Sequence, residues 1–312
     1  MRYLDVVRSS RTNNDRRFPR QSDSRTRATM LFPSFKPKFP LRFDGDLTVF
    51  GIGSCFARNI EEVIKTTGAR LPTMAIDLPM AERHVPSARS NGILNEYTPG
   101  CIGQRIMAAM EGRKLSELTI MRNGELYSDL LLHNNARISL QRALERRQEI
   151  DAIYAELPRA NVVILTLGYI ETWYDNATNC YLNRKPPHVR DVVHSDRFSF
   201  ERMDLTKCIE VLAPAVDALV QNGVKVIVTV SPVPLGTTFT GDDCVVANQY
   251  SKAVLLVCAK ELSKKTDVDY FPSYEIVVSG GLASFKEDQI HVKDDVVAAV
   301  THHMMEAYQS GV

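Results

Sequence analysis

The sequence predicts an α/β protein whose parallel sheet is covered by helices on both faces. Three apolar segments rich in β-branched residues have the length and composition of buried strands. They are Leu47–Gly53, Asn161–Gly168 and Val224–Pro232. Each lies next to a segment whose apolar residues recur at helical spacing, and strands that alternate with helices are typical of parallel sheets.

The remaining elements follow from periodicity and turn signals. Helices are expected at about residues 55–67, 107–118, 139–157, 205–223, 246–265 and 292–308. Asn123-Gly124 lies between two short apolar runs, which indicates a β-hairpin. Asn222-Gly223 marks the end of a helix. Residues 267–273 predict a further short strand.

The composition argues against several classes of protein. A net charge of +1 gives no attraction to nucleic acid or to an anionic membrane, and no apolar stretch reaches the roughly 18 residues of a spanning helix. The six cysteines form no Cys-x-x-Cys pair and no His/Cys group has zinc spacing, so neither a metal nor another cofactor is expected. No segment near the start resembles a secretory leader. We therefore expect a soluble, cytoplasmic protein with reduced thiols.

The charge is unevenly distributed along the chain. Residues 1–28 carry eight arginines against three aspartates, and the predicted boundary of this disordered basic arm is residue 30. An RNA-binding or targeting arm is the alternative interpretation. Residues 31–46 mix aromatic residues with prolines, which predicts an extended segment that packs on the domain. Residues 47–312 predict a single domain, with insertions near 112–137 and 172–204.

The predicted topology locates a ligand site. In open α/β sheets, ligands bind outside the carboxyl ends of the strands. The three strand ends here are Gly53-Ser54, Gly168 and Ser231-Pro232. At the first of them the Ser54 hydroxyl stands at a helix N-terminus, whose free amides favour developing negative charge. That hydroxyl is either a nucleophile or only an N-cap.

A second segment supports the nucleophile. Asp288 precedes His291 by three residues, just before the last helix. This spacing lets the carboxylate reach Nδ1 of the imidazole, which leaves Nε2 as the base. A serine at the first strand end together with Asp-x-x-His near the last helix is the arrangement of one class of hydrolases.

The segment "FGIGSCFARNI", residues 50–60, matches the motif that gives the GSCFA family its name. The blocks "NGILNEYTP" (91–99), "LTLGYIETWY" (165–174) and "YFPSYEIV" (270–277) also resemble that family, in the same order. The family in turn resembles the SGNH/GDSL hydrolases. This resemblance implies a three-layer α/β/α sandwich with a mostly parallel central sheet, flavodoxin-like and SGNH hydrolase-like.

The resemblance also implies a triad of Ser54, His291 and Asp288. In the superfamily the oxyanion hole takes the serine's own N–H, a glycine N–H from the second block, which here is Gly92, and an asparagine from the third. The third block of this chain has no such asparagine: it reads Gly168, Tyr169, Ile170, Glu171. Asn91 or Asn95 is therefore expected to supply the third donor.

Several neighbouring residues allow two interpretations. Glu171 either accepts backbone amides of a neighbouring loop or contacts a substrate hydroxyl. Cys55 has the position of a thiol with a lowered pKa, but a buried and inert thiol in the helix–sheet packing is favoured. Trp173 is either an aromatic platform for a sugar ring or a cap on the core. Lys252 either closes the site electrostatically or satisfies the start of its helix. His133 is interpreted as a loop residue.

The predicted function is that of an SGNH-type serine esterase or O-acyltransferase. Its partner is a small-molecule or oligosaccharide ester, an acylated and typically O-acetylated carbohydrate, and the reaction passes through an acyl-serine. The alternative is a non-catalytic carbohydrate- or nucleotide-binding module with a vestigial triad. No nucleic-acid partner and no membrane partner are expected.

Overall fold

The structure is a computed structural model that describes residues 8, 11–83, 85, 88–133, 136–187 and 196–309. In chain order its strands are β1 (Thr26–Arg27), β2 (Met30–Leu31), β3 (Val49–Gly53), β4 (Ile120–Asn123), β5 (Leu126–Asp129), β6 (Val162–Leu167), β7 (Glu171–Asp175), β8 (Cys180–Leu182), β9 (Phe198–Arg202), β10 (Lys225–Val230) and β11 (Val268–Tyr270). Its α-helices are α1 (Cys55–Ile64), α2 (Pro99–Met110), α3 (Leu140–Tyr154), α4 (Leu205–Gln221), α5 (Cys244–Leu262), α6 (Ser273–Ser279) and α7 (Asp294–Gln309).

The central sheet has four parallel strands in the order β3-β6-β10-β11. The register places Ile52 opposite Leu165, and Leu165 opposite Val228. All residues of β3 and β6 are buried, as expected for parallel strands covered on both sides. The predicted α/β class and parallel sheet are confirmed.

Each face of the sheet packs against its own set of helices. One apolar cluster joins inward residues of β3, β6 and β10 to helices α2, α3, α4 and α5. A second cluster covers the opposite face with helices α1, α6 and α7. The molecule therefore has the three layers of an α/β/α sandwich. Aromatic residues of 31–46 join the second cluster, and the rings of Phe39 and Tyr308 lie 5.4 Å apart.

Most helix and hairpin predictions are confirmed within a few residues, and one is wrong. The helix expected at 107–118 begins earlier and ends earlier, as α2, because Thr98 caps it and Pro99 occupies its first turn. Gly112, with φ of +62°, lies just beyond its end. The predicted hairpin forms between β4 and β5, and Gly124 adopts φ of +73° in its turn.

The segment 172–204 contains structure that the periodicity did not predict. Strands β8, β7 and β9 form an antiparallel sheet, in which Trp173 lies opposite Leu182 and Phe200. These strands have three to five residues, which is too short for the alternation of side chains to stand out in the sequence.

The predicted basic arm is only partly described. Residues 1–7 and 9–10 lie outside the described residues, and β1 pairs antiparallel with β2 at the arm's end. Among the described helices, none combines the length and the apolar character needed to cross a bilayer.

Candidate active site

Ser54 caps helix α1. Its backbone is extended, with φ of −66° and ψ of 176°, and its Oγ accepts a hydrogen bond from the Phe56 amide at 3.2 Å. Gly53 before it has φ of +140°, and a Cβ there would collide with the Thr166 carbonyl oxygen. A side chain at that position would separate β3 from β6, which is why glycine precedes the serine.

The Ser54 hydroxyl belongs to a buried cluster rather than to a cleft. Its Oγ donates to the Ser231 Oγ at 2.8 Å and lies 3.3 Å from the Thr166 Oγ1. Ser54 is 1% exposed and Ser231 is fully buried. The three hydroxyls therefore join the carboxyl ends of β3, β6 and β10 inside the protein.

A cavity of about 520 Å³ opens beside these strand ends. Its wall includes Cys55 after β3, Tyr169 after β6 and Val233 after β10, together with His291 from the loop before α7. This is the location that the sheet topology predicts for a ligand. Ser54 does not line the cavity, whereas the adjacent Cys55 does.

His291 and Asp288 form a pair at this cavity. The Nδ1–H of His291 donates to Asp288 Oδ2 at 2.6 Å, and the His291 amide donates to Oδ1 at 2.9 Å. The hydrogen bond with His291 holds the pKa of the Asp288 carboxyl well below its usual range. The side chains are about half exposed, at 55% and 45%. The carboxylate thus sets the tautomer of the ring and leaves Nε2 unprotonated in the neutral form.

Cys55 is the first residue of α1, is half-buried and belongs to the cavity wall. Burial raises the pKa of its thiol, while a hydrogen bond with Tyr97 and the charge of Lys252 oppose that rise. Cys55 also packs against the second apolar cluster, so it combines the expected helix–sheet packing with a place in the cavity wall. Of the six cysteines, Cys55 is the one that shares this cavity with His291.

Lys252 lies beneath the site on helix α5 and is 1% exposed. Its ammonium donates to the carbonyl oxygens of Gly168 at 2.6 Å and of Val233 at 2.7 Å. Burial lowers its pKa from 10.5 to about 7. Lys252 therefore connects the loops that follow β6 and β10, and it does not serve only the start of its helix.

The residues expected to form the oxyanion hole are engaged elsewhere. The Asn91 amide nitrogen donates to Glu61 at 3.2 Å, and that of Asn95 donates to the Tyr97 hydroxyl at 3.3 Å. The backbone amides expected to act as donors also have partners: those of Gly92 with Arg89, Gly168 with Tyr97, and Ser54 with Thr166. The Cys55 amide remains as the N-terminal donor of α1, and it lies against its own sulfur.

Glu171 lines the cavity but is held by its neighbours. Thr238 Oγ1 donates to its Oε1 at 2.6 Å, and the Phe239 amide donates to its Oε2 at 2.7 Å. Glu171 therefore holds the loop after β10, in agreement with the interpretation that it accepts a backbone amide of a neighbouring loop. Trp173 also lines the cavity, and its ring contacts those of Phe200 and Phe239 at 5.3 and 5.4 Å between centroids.

The comparisons with known proteins give one result. The model of the GSCFA family matches residues 48–304. This chain belongs to the GSCFA family. The match includes the turn that holds Ser54 and Cys55 as well as the loop that holds Asp288 and His291. Searches of curated proteins and of solved structures found no significant match.

Other residues at the site of this GSCFA protein were missed by the sequence analysis or assigned elsewhere. Tyr97 stacks on Tyr169 at 5.3 Å and contacts His133 at 4.4 Å between ring centroids, and all three line the cavity. Arg184 and Lys185 line it as well, directly after β8. The sequence carried no signal for them, because their place depends on how the antiparallel sheet packs.

No cluster of three or more His, Cys, Asp or Glu residues is arranged for a metal ion in the part of the GSCFA chain that the structure describes. The groups at this cavity that can carry out chemistry are a thiol, a carboxylate-oriented imidazole and the first amide of a helix. Such a set suits nucleophilic attack on a carbonyl group.

Proposed function

We propose that this protein transfers acyl groups, as a hydrolase or an acyltransferase, through a covalent intermediate on Cys55. The observation that carries the proposal is that Cys55 and His291 line the same cavity, while Ser54 is buried against Ser231. A nucleophile needs both access to the substrate and a base within reach. Of the two candidates at this turn, Cys55 is the one that belongs to the cavity wall.

The reaction has two steps, acylation of Cys55 and transfer of the acyl group from it. The Cys55 sulfur attacks the carbonyl carbon of an ester as His291 Nε2 takes the thiol proton. The tetrahedral intermediate then collapses to a thioester, and the imidazolium returns the proton to the departing alcohol. Water or a second alcohol, deprotonated by the same imidazole, attacks the thioester and releases the acid or the new ester with the free thiol.

The electrostatics of the site define the role of each group. Because burial raises the pKa of the Cys55 thiol, the resting residue is protonated and attack requires His291 as a general base. Asp288 supports the imidazolium that forms. The Cys55 amide, at the N-terminus of α1, is the donor placed for the oxyanion, where the helix dipole adds to it.

The proposed substrate is the acylated carbohydrate that the sequence predicts. We propose an acylated, typically O-acetylated, carbohydrate, because Trp173, Tyr169 and Phe239 give the cavity aromatic walls. Aromatic faces pack against the apolar faces of sugar rings and leave the hydroxyls to polar neighbours. Whether water or an alcohol accepts the acyl group depends on which of them reaches the thioester first.

The test is to trap the acyl-enzyme. The protein is mixed with p-nitrophenyl acetate, quenched in acid, digested and mapped by mass spectrometry. We expect acetyl on the peptide that contains Cys55, its loss in Cys55→Ala and His291→Ala, and its retention in Ser54→Ala. Cys244→Ala is the matched control, because Cys244 also starts a helix and is partly exposed, but its sulfur is directed at the Leu235 carbonyl.

Two outcomes would contradict the proposal. Acetyl on Ser54, retained in Cys55→Ala, would restore the serine as the nucleophile of the predicted triad. Equal labelling of all variants would remove acyl transfer altogether and favour the non-catalytic binding module.

A further inference from the structure

Arg184 is half-buried in the cavity wall and differs from five other buried or half-buried arginines. Arg58, Arg105, Arg146, Arg147 and Arg197 each have a carboxylate oxygen within 4.0 Å. Arg184 has no such partner among the described residues, and its Nη1 is buried without a hydrogen bond. An unpaired guanidinium N–H that faces a cavity is suited to bind an anion.

Asp129 acts on Arg184 without forming an ion pair with it. Asp129 is the residue whose charge acts on the Arg184 guanidinium, whose pKa burial lowers. Both oxygens of Asp129 already accept hydrogen bonds from Arg147, at 2.9 and 2.5 Å. Arg184 therefore forms no ion pair with Asp129, and its Nη1 keeps an N–H without a partner.

Two further hydrogen-bond donors lie in the same cavity wall as Arg184. Lys185 also lines the cavity, with its ammonium 6.0 Å from the centre of the Phe239 ring. Trp173 lines the same wall, and its indole N–H is buried without a partner. The carboxylate of Glu171 is the acidic group on the described cavity wall, and both of its oxygens are engaged by Thr238 and Phe239.

From this arrangement we infer that the cavity binds an anionic group of the substrate, a carboxylate or a phosphate, through Arg184, with Lys185 and the Trp173 indole as further donors. The inference rests on the proposed function and specifies its substrate as the ester of an acidic or phosphorylated sugar. A planar guanidinium binds either anion through two parallel hydrogen bonds, and a buried site strengthens them.

Binding separates this inference from catalysis. Calorimetry would compare D-galacturonate with D-galactose, and D-glucose 6-phosphate with D-glucose, on the wild type and on Arg184→Met. We expect one of the two anions to bind and its neutral partner to bind at least roughly tenfold more weakly. Arg184→Met should lower the affinity for that anion to the level of the neutral sugar, and Arg184→Lys should keep part of it. The anion that binds shows whether the substrate carries a carboxylate or a phosphate.

Controls keep the result interpretable. Arg202→Met removes an exposed arginine at the end of β9, which is paired with Asp242 in the loop before α5. This variant should leave anion binding unchanged. The melting temperature of Arg184→Met should equal or exceed that of the wild type, because an unpaired charge is removed; a large fall would indicate a structural arginine instead.

The outcomes distinguish the two proposals. Anion binding that is equal in the wild type and in Arg184→Met, or absent from both, would overturn the anionic subsite even if Cys55 is acylated. Binding that requires Arg184 but persists in Cys55→Ala supports the subsite, whatever the acetylation experiment shows.

Discussion

The Ser54 Oγ donates a hydrogen bond to the Ser231 Oγ at 2.8 Å, and this contact turns the serine of the first strand end toward the protein interior. The next residue, Cys55, is the first of helix α1 and faces the cavity. Two adjacent side chains thus have different surroundings: Ser54 is hydrogen-bonded inside the protein, and Cys55 belongs to the cavity wall.

Removing the Ser54 hydroxyl is expected to lower stability and to leave acylation intact. Ser54→Ala removes the N-cap of α1 and the bond to Ser231, so the free energy of unfolding should fall by about 1–3 kcal/mol. Urea denaturation measures the change. Ser139→Ala, which removes the exposed N-cap of α3, shows how much a cap alone contributes. Loss of acetylation without loss of stability would contradict this assignment.

A double-mutant cycle separates the shared bond from the cap. Ser231→Ala should also lower the free energy of unfolding. The double variant should lower it by less than the sum of the two single changes, because both variants remove the same hydrogen bond. Strict additivity would mean that the two hydroxyls do not depend on each other.

Asp288→Asn is expected to slow acylation without unfolding the protein. The carboxylate holds the tautomer of His291 and its charge favours the imidazolium, so the rate should fall roughly tenfold to a thousandfold. Stopped-flow release of p-nitrophenolate measures it. Because the pKa of Asp288 lies below its usual range, its ionisation should leave no inflection in the rate above about pH 4.

The matched control for Asp288 is Asp294→Asn. Asp294 is also an exposed carboxylate on this part of the chain, but it pairs with Lys286. The acylation rate of Asp294→Asn should equal that of the wild type. An unchanged rate in Asp288→Asn would remove the carboxylate from the mechanism.

Lys252 should make stability depend on pH. Its folded pKa of about 7 lies below the ordinary 10.5, so between these values the unfolded chain binds a proton that the folded protein does not. Stability therefore rises with pH in this window, by at most about 1.4 kcal/mol per pH unit. Lys252→Met lacks this contribution. Urea denaturation of both proteins at several values between about pH 7 and pH 9 measures the difference.

The control for Lys252 is Lys260→Met, an exposed lysine on the same helix, which should follow the wild-type curve. Parallel curves for the wild type and Lys252→Met would mean that Lys252 stays protonated in the folded protein throughout this range.

Glu171→Gln should loosen the loop after β10. The variant keeps one carbonyl oxygen for two donors, Thr238 Oγ1 and the Phe239 amide, so one of these hydrogen bonds should be lost. We expect faster hydrogen exchange at the Phe239 amide and a loss of about 1–2 kcal/mol in stability. Glu201→Gln, on the adjacent strand β9, is the control. Unchanged exchange together with a large loss of activity would favour the substrate-contacting alternative for Glu171.

Local patterns were enough for most of the fold and for part of the site. The buried strands, the Asn123-Gly124 hairpin and the pairing of Asp288 with His291 each depend on residues close together in the sequence. The misplaced helix at 107–118 shows the limit of periodicity, since the cap at Thr98 and Pro99 decided where α2 begins. The short strands around Trp173 were missed for lack of a clear alternation.

Patterns along the chain were enough to predict an α/β sheet, a cavity at its carboxyl edge and a carboxylate that orients an imidazole there. Contacts between distant segments place Cys55 rather than Ser54 in the cavity wall, engage Asn91 and Asn95 inside the protein, and leave Arg184 without a carboxylate partner among the described residues. The physical reason is that a side chain's direction at a strand–helix turn, and its partners, depend on the packing of segments distant in sequence. Spacing along the chain does not record those contacts.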